Sequence, residues 1–329
     1  MAARKSARRI RYGVVGLGNI AQVAVLPAFA NARNSECVAL FSSDAQKLKK
    51  FGRKFGVKGL YSYEQYDEVL ARGEVDAVYI ALPNAMHRDF TVRAAAAGVH
   101  VLCEKPMDAS EAKCLEMIRA CEDAGVKLMI AYRLHFEEAN LKVVEVVKQG
   151  KIGEPRLFTA TFTMQVREGN DTRLQADLGA SPMLDLGVYC LNAARYVFRA
   201  EPVEVFAYGA RPNDGRFDEV VPTITAVLRF PGDRLAQLTA SFATADCEEY
   251  RVIGEFGDVR LSPCFSYEEE YRIAVTIRGK TREKTFSKSD QFGPELVYFS
   301  DCILEGRDPE PSGREGLADV RAVEAILRS

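Results

Sequence analysis

This chain of 329 residues lacks several features that mark particular classes of protein. Its formal net charge is only −2, which argues against a nucleic-acid partner or an anionic membrane surface. No stretch is long and apolar enough to cross a bilayer, and there is no internal repeat or low-complexity tract. What remains is the composition of a soluble globular protein, long enough for two domains that each bury a core.

Paired cysteines and metal-ligand spacings are also missing. The eight cysteines include no Cys-x-x-Cys pair and no metal-like spacing to the three histidines. We therefore predict buried free thiols rather than disulfides or zinc ligands, and no metal site. The basic lead, residues 4–11, has no apolar segment after it, so we expect a solvated arm rather than a cleaved signal, and a cytoplasmic protein.

Short apolar runs alternate with helical patterns in residues 1–131, which we predict to be a dinucleotide-binding domain. The predicted strands are 12–15, 37–41, 59–60, 77–82, 99–103 and 127–131. The predicted helices are 20–32, 44–55, 63–71, 86–97 and 110–124. This alternation predicts an α/β fold with a doubly wound parallel sheet, which binds ligands at the carboxyl ends of its strands.

The pattern changes in residues 132–329, where strands follow one another directly. After a helix at 137–149, the strand-like runs are 156–166, 203–210, 223–230, 235–242, 250–254, 259–262 and 272–278. One helix, 182–198, interrupts them and two more close the chain. We predict an α+β domain for substrate binding and oligomerisation, with a large open, mainly antiparallel sheet. An arrangement in which its C-terminal helix packs back on the first domain stays open.

A glycine-rich turn is the first feature that carries chemistry. Gly16, Gly18 and Ala21 have the G-x-G-x-x-A spacing between an apolar strand and a helix. Gly16 would allow a tight turn, Gly18 would let the backbone approach a pyrophosphate, and Ala21 would let the helix lie close to the strand. The turn predicts dinucleotide binding at Gly16, Gly18, Asn19 and Ile20.

The end of the second strand is where the adenosine ribose of such a ligand is expected. The chain has Ser42 at this position and Lys47 one turn later. A hydroxyl and an ammonium favour the 2′-phosphate of NADP(H) over NAD, since an acidic residue would repel that phosphate. Asp44 leaves an alternative open, because it could either cap the next helix or reach the ribose. Ser43 and Tyr63 complete this expected part of the site.

Two further loops follow predicted strands and would border the nicotinamide. In the first, His87 is either a functional residue or simply a polar residue at a helix N-terminus. In the second, Lys105 follows a buried strand and precedes Pro106, which holds its backbone extended. A long cation is costly to bury there without a purpose, and Glu104 points to the opposite face. The cofactor-binding residues expected here are Leu82, Pro83, Asn84, His87, Glu104 and Lys105.

The helix at 182–198 is apolar on most sides but carries a polar stripe. Asp185, Tyr189, Asn192 and Tyr196 follow one another at spacings of 4, 3 and 4, which aligns them on one face. From the pattern alone, such a stripe either meets internal partners or lines a cavity.

Together and in this order, these motifs resemble the Gfo/Idh/MocA family, the glucose–fructose oxidoreductase and inositol dehydrogenase group. The resemblance extends from residue 12 to about residue 327. Its marks are Gly-Leu-Gly-Asn-Ile-Ala, Ala81-Leu-Pro-Asn-Ala-Met-His87, Glu104-Lys-Pro106, Tyr132-Arg133 and Asp185-Leu-Gly-Val-Tyr189. It implies a Rossmann domain, an open sheet that forms homodimers or homotetramers, and an active site between the domains.

The chain most resembles the branch of glucose–fructose oxidoreductase, xylose dehydrogenase and dihydrodiol dehydrogenase. Tyr189 stands where inositol dehydrogenases carry histidine, and Tyr132-Arg-Leu-His-Phe136 is similar to that branch's Y-R-x-H-[FY]. Ser42 and Lys47 match the NADP-binding pair of glucose–fructose oxidoreductase. Gly179-Ala-Ser181 and Thr172-Arg-Leu174 depart from that enzyme's pattern, so permanent NADP retention stays open.

The resemblance implies an enzyme that transfers a hydride between NADP and a carbohydrate carbon, most directly C1 of an aldose, giving a lactone. Tyr189 would be the general base, with the Lys105 ammonium favouring its phenolate and binding the reacting oxygen. Asp185 would orient the sugar, Arg133 and Arg173 would line the pocket, and Arg133 would also contact the cofactor.

Three alternatives stay open: an NADPH-dependent keto-sugar or dicarbonyl reductase, a dihydrodiol dehydrogenase, and a non-catalytic sensor of cofactor or sugar. The expected pocket loops, 167–178 and 265–270, show no pattern that names the sugar.

Overall fold

The computed structural model describes residues 8–167, 172–213 and 215–329, which form two compact units. The first unit contains the described residues up to Asp108, together with Ala112–Arg133 and Asp290–Leu317. The second contains Ala109–Glu111, Leu134–Ser289 and Ala318–Ser329. The sequence-based division at residue 131 had placed 290–317 in the second domain.

The first unit contains a six-stranded parallel sheet in the order β3-β2-β1-β4-β5-β6, as the sequence predicts for a Rossmann domain. Its strands are β1 Ile10–Val15, β2 Ser35–Phe41, β3 Gly59–Tyr61, β4 Ala77–Ile80, β5 His100–Glu104 and β6 Leu128–Ala131. Its helices are α1 Leu26–Ala28, α2 Ala45–Phe55, α3 Tyr66–Ala71, α4 His87–Ala96, α5 Glu111–Asp123, of which Glu111 is in the second unit, and later α8 Phe292–Glu305. The central strands are buried on both faces because helices cover the sheet on each side.

The first helix is shorter than predicted. A π-helical turn, Ala21–Val25, leads into α1, and the helical segment ends at Ala28 instead of residue 32. Pro27 has no N–H with which to continue the regular hydrogen-bond ladder, so the regular pattern is interrupted there.

Segment 290–317 joins the first unit because its helix is tied to β2 and the loop before it. The Asn34 side chain donates hydrogen bonds to the Val297 carbonyl at 3.0 Å and to the Asp301 carboxylate at 2.7 Å. Within the buried layer, Ser300 lies 2.9 Å from the Tyr12 hydroxyl and 2.7 Å from the Ser35 hydroxyl. These contacts join elements that are more than 250 residues apart in the chain.

The second unit contains an eight-stranded sheet in the order β14-β13-β12-β11-β7-β10-β9-β8. Neighbouring strands are antiparallel except β7 and β10. The strands are β7 Pro155–Gln165, β8 Glu204–Ala210, β9 Thr223–Phe230, β10 Arg234–Ser241, β11 Ala243–Gly254, β12 Gly257–Ser262, β13 Tyr271–Ile277 and β14 Lys280–Phe286. The helices are α6 Glu138–Lys148 and α7 Val188–Phe198; α9, Gly313–Arg328, begins in the first unit and ends in the second.

The strand β14 was not predicted from the sequence. This strand lies at the edge of the sheet, and six of its seven residues are exposed, so it has no alternating apolar pattern to detect. Its lysines and arginine are typical of an edge strand that resists pairing with other chains.

Side chains of the second sheet alternate between a buried face and an outward face. Phe158 and Ala160 are buried, whereas Leu157 and Thr159 are exposed. In register with these two, Leu235 and Gln237 on β10 are also exposed. The outward face continues across β9 and β8, where Val227, Phe206 and Tyr208 are exposed.

All eight cysteines are free thiols. Six are buried and Cys37 is half-buried, but Cys247 is exposed on β11, so the expectation of a buried thiol was wrong there. In the part of the chain that the structure describes, no helix is both long and apolar enough to span a bilayer. In the same ranges, no group of three or more His, Cys, Asp and Glu side chains is arranged to hold a metal ion.

Candidate active site

The glycine turn of the first unit has the geometry that a dinucleotide requires. Gly16 has φ of 92°, and a Cβ at this position would collide with the carbonyl oxygen of Ala81. Only glycine both adopts this positive φ without strain and avoids a collision with Ala81. At Gly18, by contrast, a Cβ would meet no atom within 4 Å, so the space beside this exposed residue is open. Asn19 is also exposed and the half-buried Ile20 begins the helical turn, so an anion can reach the N–H groups of that turn.

Two residues after β2 have different functions in the structure: Asp44 caps a helix, and Lys47 is an accessible cation. One oxygen of Asp44 accepts hydrogen bonds from the N–H groups of Gln46 and Lys47, both at 2.9 Å. Asp44 is therefore the N-cap of α2, which was one of its two open interpretations. Lys47 is exposed in the first turn of α2, and no ion pair involving it is found among the described residues. Its ammonium is available to an anionic ligand.

Ser42 and Tyr63 form a small hydrogen-bonded group beside this helix. Ser42 is 5% exposed, and its hydroxyl accepts a hydrogen bond from the Asp44 N–H at 3.1 Å. Burial raises the pKa of the Tyr63 hydroxyl, and a hydrogen bond with Ser42 opposes that shift. Ser43, the next residue, is exposed. The residues predicted to bind the 2′-phosphate, Ser42 and Lys47, thus both lie at the start of α2.

The side chain of His87 lies between two loops of the first unit. Its ring is completely buried, with Nε2 at 2.9 Å from the Leu82 carbonyl oxygen and Nδ1 at 3.0 Å from the Pro106 carbonyl oxygen. The buried ring favours the second of the two interpretations, a polar residue at a helix N-terminus, since His87 is the first residue of α4. Instead, His87 ties the loop after β4 to the loop after β5. Half-buried Pro83 and Asn84 lie in the first of these loops.

Glu104 and Lys105 mark the end of β5. One oxygen of Glu104 accepts a hydrogen bond from the Tyr79 hydroxyl at 2.8 Å, and the other accepts one from the Lys105 backbone N–H at 3.2 Å. Both carboxylate oxygens thus have partners within the first unit, and they help to fix the backbone from which the half-buried Lys105 side chain extends. The peptide bond to Pro106 is cis.

Arg133 lies after β6 and is 5% exposed. Its Nη1 donates a hydrogen bond to the side-chain oxygen of Gln291, and its guanidinium lies 6.0 Å from the centroid of the Phe292 ring. Gln291 belongs to segment 290–317, so the sequence analysis did not connect it with Arg133.

Glu295 is a second residue that the sequence analysis missed. It is completely buried, and neither of its carboxyl oxygens has a hydrogen-bond partner within the described chain. Burial raises its pKa well above the ordinary value, nearby Glu104 adds to this shift, and Arg133 opposes it. The sequence does contain an indication, because Glu295 interrupts the apolar side of α8.

In the second unit, the structure brings together two of the residues predicted to bind substrate. Arg173 lies in a 3₁₀ turn, Thr172–Leu174, and its Nε donates to the Asp185 carboxylate at 2.6 Å. The two side chains are 38% and 26% exposed, so the pair is accessible. Residues 168–171 of the expected pocket loop lie outside the described residues.

Tyr189, one turn after Asp185, lies in a cluster of aromatic rings. Its ring centroid is 5.7 Å from that of Phe162 on β7 and 5.7 Å from that of Phe265 in the loop after β12. Tyr189 is only 8% exposed. The sequence placed residue 265 in a pocket loop but gave no reason to connect either phenylalanine with Tyr189.

The remaining two residues of the polar stripe meet partners inside the second unit. Asn192 donates to the Asp319 carboxylate at 2.9 Å, and its side-chain oxygen lies 3.0 Å from His135 Nε2. The Tyr196 ring contacts the His135 ring edge-to-face, with centroids 4.0 Å apart. Arg195 is 4% exposed and pairs with Asp319 at 2.7 Å. This end of the stripe is a structural network.

Comparison with known proteins gives matches over most of the chain. Residues 10–132 match a family described as an oxidoreductase family with an NAD-binding Rossmann fold, and residues 140–260 match the GFO/IDH/MocA C-terminal domain. A D-xylose 1-dehydrogenase [NADP(+)] from Haloarcula marismortui is 30% identical over 97% of this chain and 91% of its own length.

Two solved structures extend the comparison. An aldose-aldose oxidoreductase from Caulobacter crescentus, complexed with glycerol, is 38% identical with a TM-score of 0.93, over 98% of this chain and 97% of that one. KijD10, a 3-ketoreductase from Actinomadura kijaniata in complex with NADP and TDP-benzene, is 28% identical with a TM-score of 0.89, over 98% of both chains.

Proposed function

Because the chain belongs to the Gfo/Idh/MocA family of oxidoreductases, we propose that it is an NADP-dependent sugar oxidoreductase. The reaction that we infer is hydride transfer from C1 of an aldose, giving a lactone. The observation that carries this proposal is that Tyr189, a nearly buried phenol, lies about one turn after the accessible carboxylate of Asp185. Lys105, directly after β5, is the cation expected from the sequence for this chemistry.

The residues of the first unit fit NADP. The open space at Gly18 accommodates a pyrophosphate, and the exposed Lys47 ammonium suits a 2′-phosphate. Asp44 is occupied as a helix cap through one oxygen, which limits its use as a ribose ligand. The xylose dehydrogenase and KijD10 are described with NADP, which supports the same choice here. When bound, this cofactor supplies the carbon that accepts or donates the hydride.

In the proposed mechanism, Tyr189 takes the proton of a sugar hydroxyl while a hydride leaves the carbon that bears this hydroxyl. Negative charge develops on the reacting oxygen, and a cation stabilises it and favours a phenolate base; this is the role expected of Lys105 from the sequence. Asp185 binds a neighbouring hydroxyl and thereby orients the sugar. Arg173, which is paired with Asp185, is proposed to form part of the wall of the pocket.

The charges around Asp185 favour an uncharged sugar over a sugar nucleotide. A diphosphate is best recognised by arginines that are free to form paired hydrogen bonds. The Arg173 side chain is instead paired with Asp185 at 2.6 Å, so this pair adds no net positive charge. The second candidate, NADPH-dependent reduction of a keto-sugar, is supported by the likeness to KijD10.

We also propose that the chain forms a homo-oligomer through the outward face of the second sheet. This face exposes Leu157, Val227 and Leu235, and it contains a shallow groove of about 420 Å³ lined by polar side chains. A Leu235→Glu variant would place like charges together across a self-associating face. Light scattering after gel filtration should then report a smaller assembly, while an unchanged mass would contradict this interface.

The function is tested by assaying aldoses, dihydrodiols and keto-sugars with NADP(H) and with NAD(H). We expect NADP reduction by at least one aldose. Keto-sugar reduction alone would favour the second candidate, and tight NADP binding without any turnover would favour a sensor.

The cofactor assignment is tested separately by replacing Lys47 with Ala, with Lys49→Ala on the same exposed helix as control. Lys47→Ala should weaken NADP by roughly tenfold and leave NAD unchanged, since only NADP carries the 2′-phosphate. Equal weakening of both cofactors would contradict the 2′-phosphate assignment.

A further inference from the structure

The Tyr189 ring is one of three aromatic rings that contact each other. Phe162 and Phe265 each have their centroid 5.7 Å from that of Tyr189, and they stack on one another with centroids 5.0 Å apart at an interplanar angle of 27°. Phe265 is 1% exposed and also contacts Tyr250 at 6.0 Å. The two phenylalanines therefore restrict where the phenol ring can lie.

The loop that carries Phe265 is held on both sides of this residue. The Phe265 N–H donates to the Glu248 carboxylate on β11 at 3.0 Å. The preceding carbonyl, that of Cys264, accepts from the Asn140 side chain on α6 at 3.1 Å, and the following carbonyl, that of Ser266, accepts from the Tyr271 hydroxyl. Three consecutive residues of a loop are thus fixed by side chains from three different elements.

Filling a core does not require such fixing, because apolar side chains adapt to several similar packings. Proton transfer does require it, since the reacting oxygen and the base must meet at hydrogen-bond distance in a defined direction. A phenol in a fixed ring cluster loses the freedom to turn away from the substrate. The cluster therefore has the properties expected of a support for a catalytic side chain.

We propose that Phe265, held by Glu248, is a positioning residue for Tyr189. This inference rests on the proposed function, because it assigns to Phe265 the task of keeping the general base aligned. Phe162 supports the same ring from the sheet. The aromatic ring at position 265 is the feature that matters, and Glu248 acts through it.

The first test compares Phe265→Leu with Phe230→Leu in single-turnover hydride transfer. Phe230, at the end of β9 in the same unit, is equally buried and contacts Phe198 rather than Tyr189, so this variant is a matched control for lost core packing. We expect Phe265→Leu to slow hydride transfer by roughly tenfold with unchanged NADP affinity. Phe265→Tyr, which keeps the ring, should restore the rate. Equal rates in the two leucine variants would overturn the proposal.

A second test does not depend on activity. With 3-fluorotyrosine at position 189, ¹⁹F NMR should give one sharp resonance in the otherwise unchanged protein and a broadened or divided one with Phe265→Leu or Glu248→Ala. Glu248→Gln keeps an acceptor for the Phe265 N–H and should retain the single line. A single sharp line in all variants would overturn the proposal. If the unchanged protein turns over no sugar while the resonances behave as expected, the proposed function fails and the ring cluster stands.

Discussion

The polar stripe on the helix around α7 divides into two halves that differ in their partners. Asp185 and Tyr189 face an accessible arginine and two phenylalanine rings. Asn192 and Tyr196, at the same helical spacing, meet His135, and Asn192 also binds the buried Asp319. Equal spacing along the chain therefore leads to two different sets of partners. The role depends on which distant segments pack against each turn.

The largest expected effect separates the two halves by catalysis. Tyr189→Phe removes the proposed base but keeps the ring and its contacts with Phe162 and Phe265. Hydride transfer should therefore slow by roughly 10² to 10⁴-fold, while NADP binding and the free energy of unfolding stay close to those of the unchanged protein. Single-turnover absorbance and urea unfolding measure these quantities. An unchanged hydride-transfer rate would remove Tyr189 from the mechanism.

In the half of the stripe formed by Asn192 and Tyr196, replacing Asp319 with Asn should lower the stability of the protein rather than slow hydride transfer. Asp319 is completely buried and pairs with Arg195, which also pairs with Glu201, so removing the charge of Asp319 takes a buried ion pair from the guanidinium. We expect a loss of about 3 kcal/mol in the free energy of unfolding, with NADP binding unchanged.

The matched control for Asp319 is Glu201→Gln, which changes the other partner of Arg195. Glu201 is 59% exposed, so its pairing should contribute no more than about 1 kcal/mol. Urea unfolding of the two variants compares them directly. Equal losses would show that burial does not distinguish the two carboxylates.

His135, which contacts Asn192 and Tyr196, should make the stability of this half of the stripe depend on pH. Burial lowers the pKa of His135 to about 4, whereas the hydrogen bond with Asn192 opposes that shift. Between about pH 6.5 and pH 4, the unfolded chain binds a proton that the folded chain does not, so stability falls as the pH falls. The size of the effect is about 3 kcal/mol over that window.

A His135→Gln variant keeps a side-chain N–H for Asn192 but has no group that titrates in this range. Its free energy of unfolding, measured by urea at several pH values, should therefore depend less on pH between 6.5 and 4 than that of the unchanged protein. If both proteins show the same slope, another group controls the acid sensitivity.

The fold could be predicted well from the sequence because its evidence is local. Apolar runs of strand length between helical patterns indicate the parallel sheet, and the restriction at Gly16 is visible in one short turn. The element that was missed, β14, has almost no buried residue and therefore leaves no hydrophobic pattern. Element ends differ from the prediction by a few residues where a proline or a cap decides them.

The candidate site was predictable only in part, because its partners come from distant segments. Helical spacing placed Asp185 and Tyr189 on one face, but nothing local connects Asn192 with Asp319, 127 residues away. The partners of His87 were not predictable for the same reason, since the carbonyl groups of Leu82 and Pro106 that enclose it are fixed by the sheet. Burial of a polar residue becomes visible only when the chain is folded.

The smallest expected effect concerns Arg173. Replacing it tests whether this arginine takes part in the chemical step proposed for Asp185 and Tyr189. Its ion pair with Asp185 is partly exposed, and such pairs contribute no more than about 1 kcal/mol, or roughly a fivefold change in a binding constant. Arg173→Gln should therefore raise the KM for the sugar by at most about fivefold, with kcat nearly unchanged, because Asp185 retains its carboxylate. Steady-state kinetics separate the two parameters. A fall of more than about tenfold in kcat would instead place Arg173 beside Tyr189 in the chemical step, and the functional half of the stripe would then include the turn that carries this arginine.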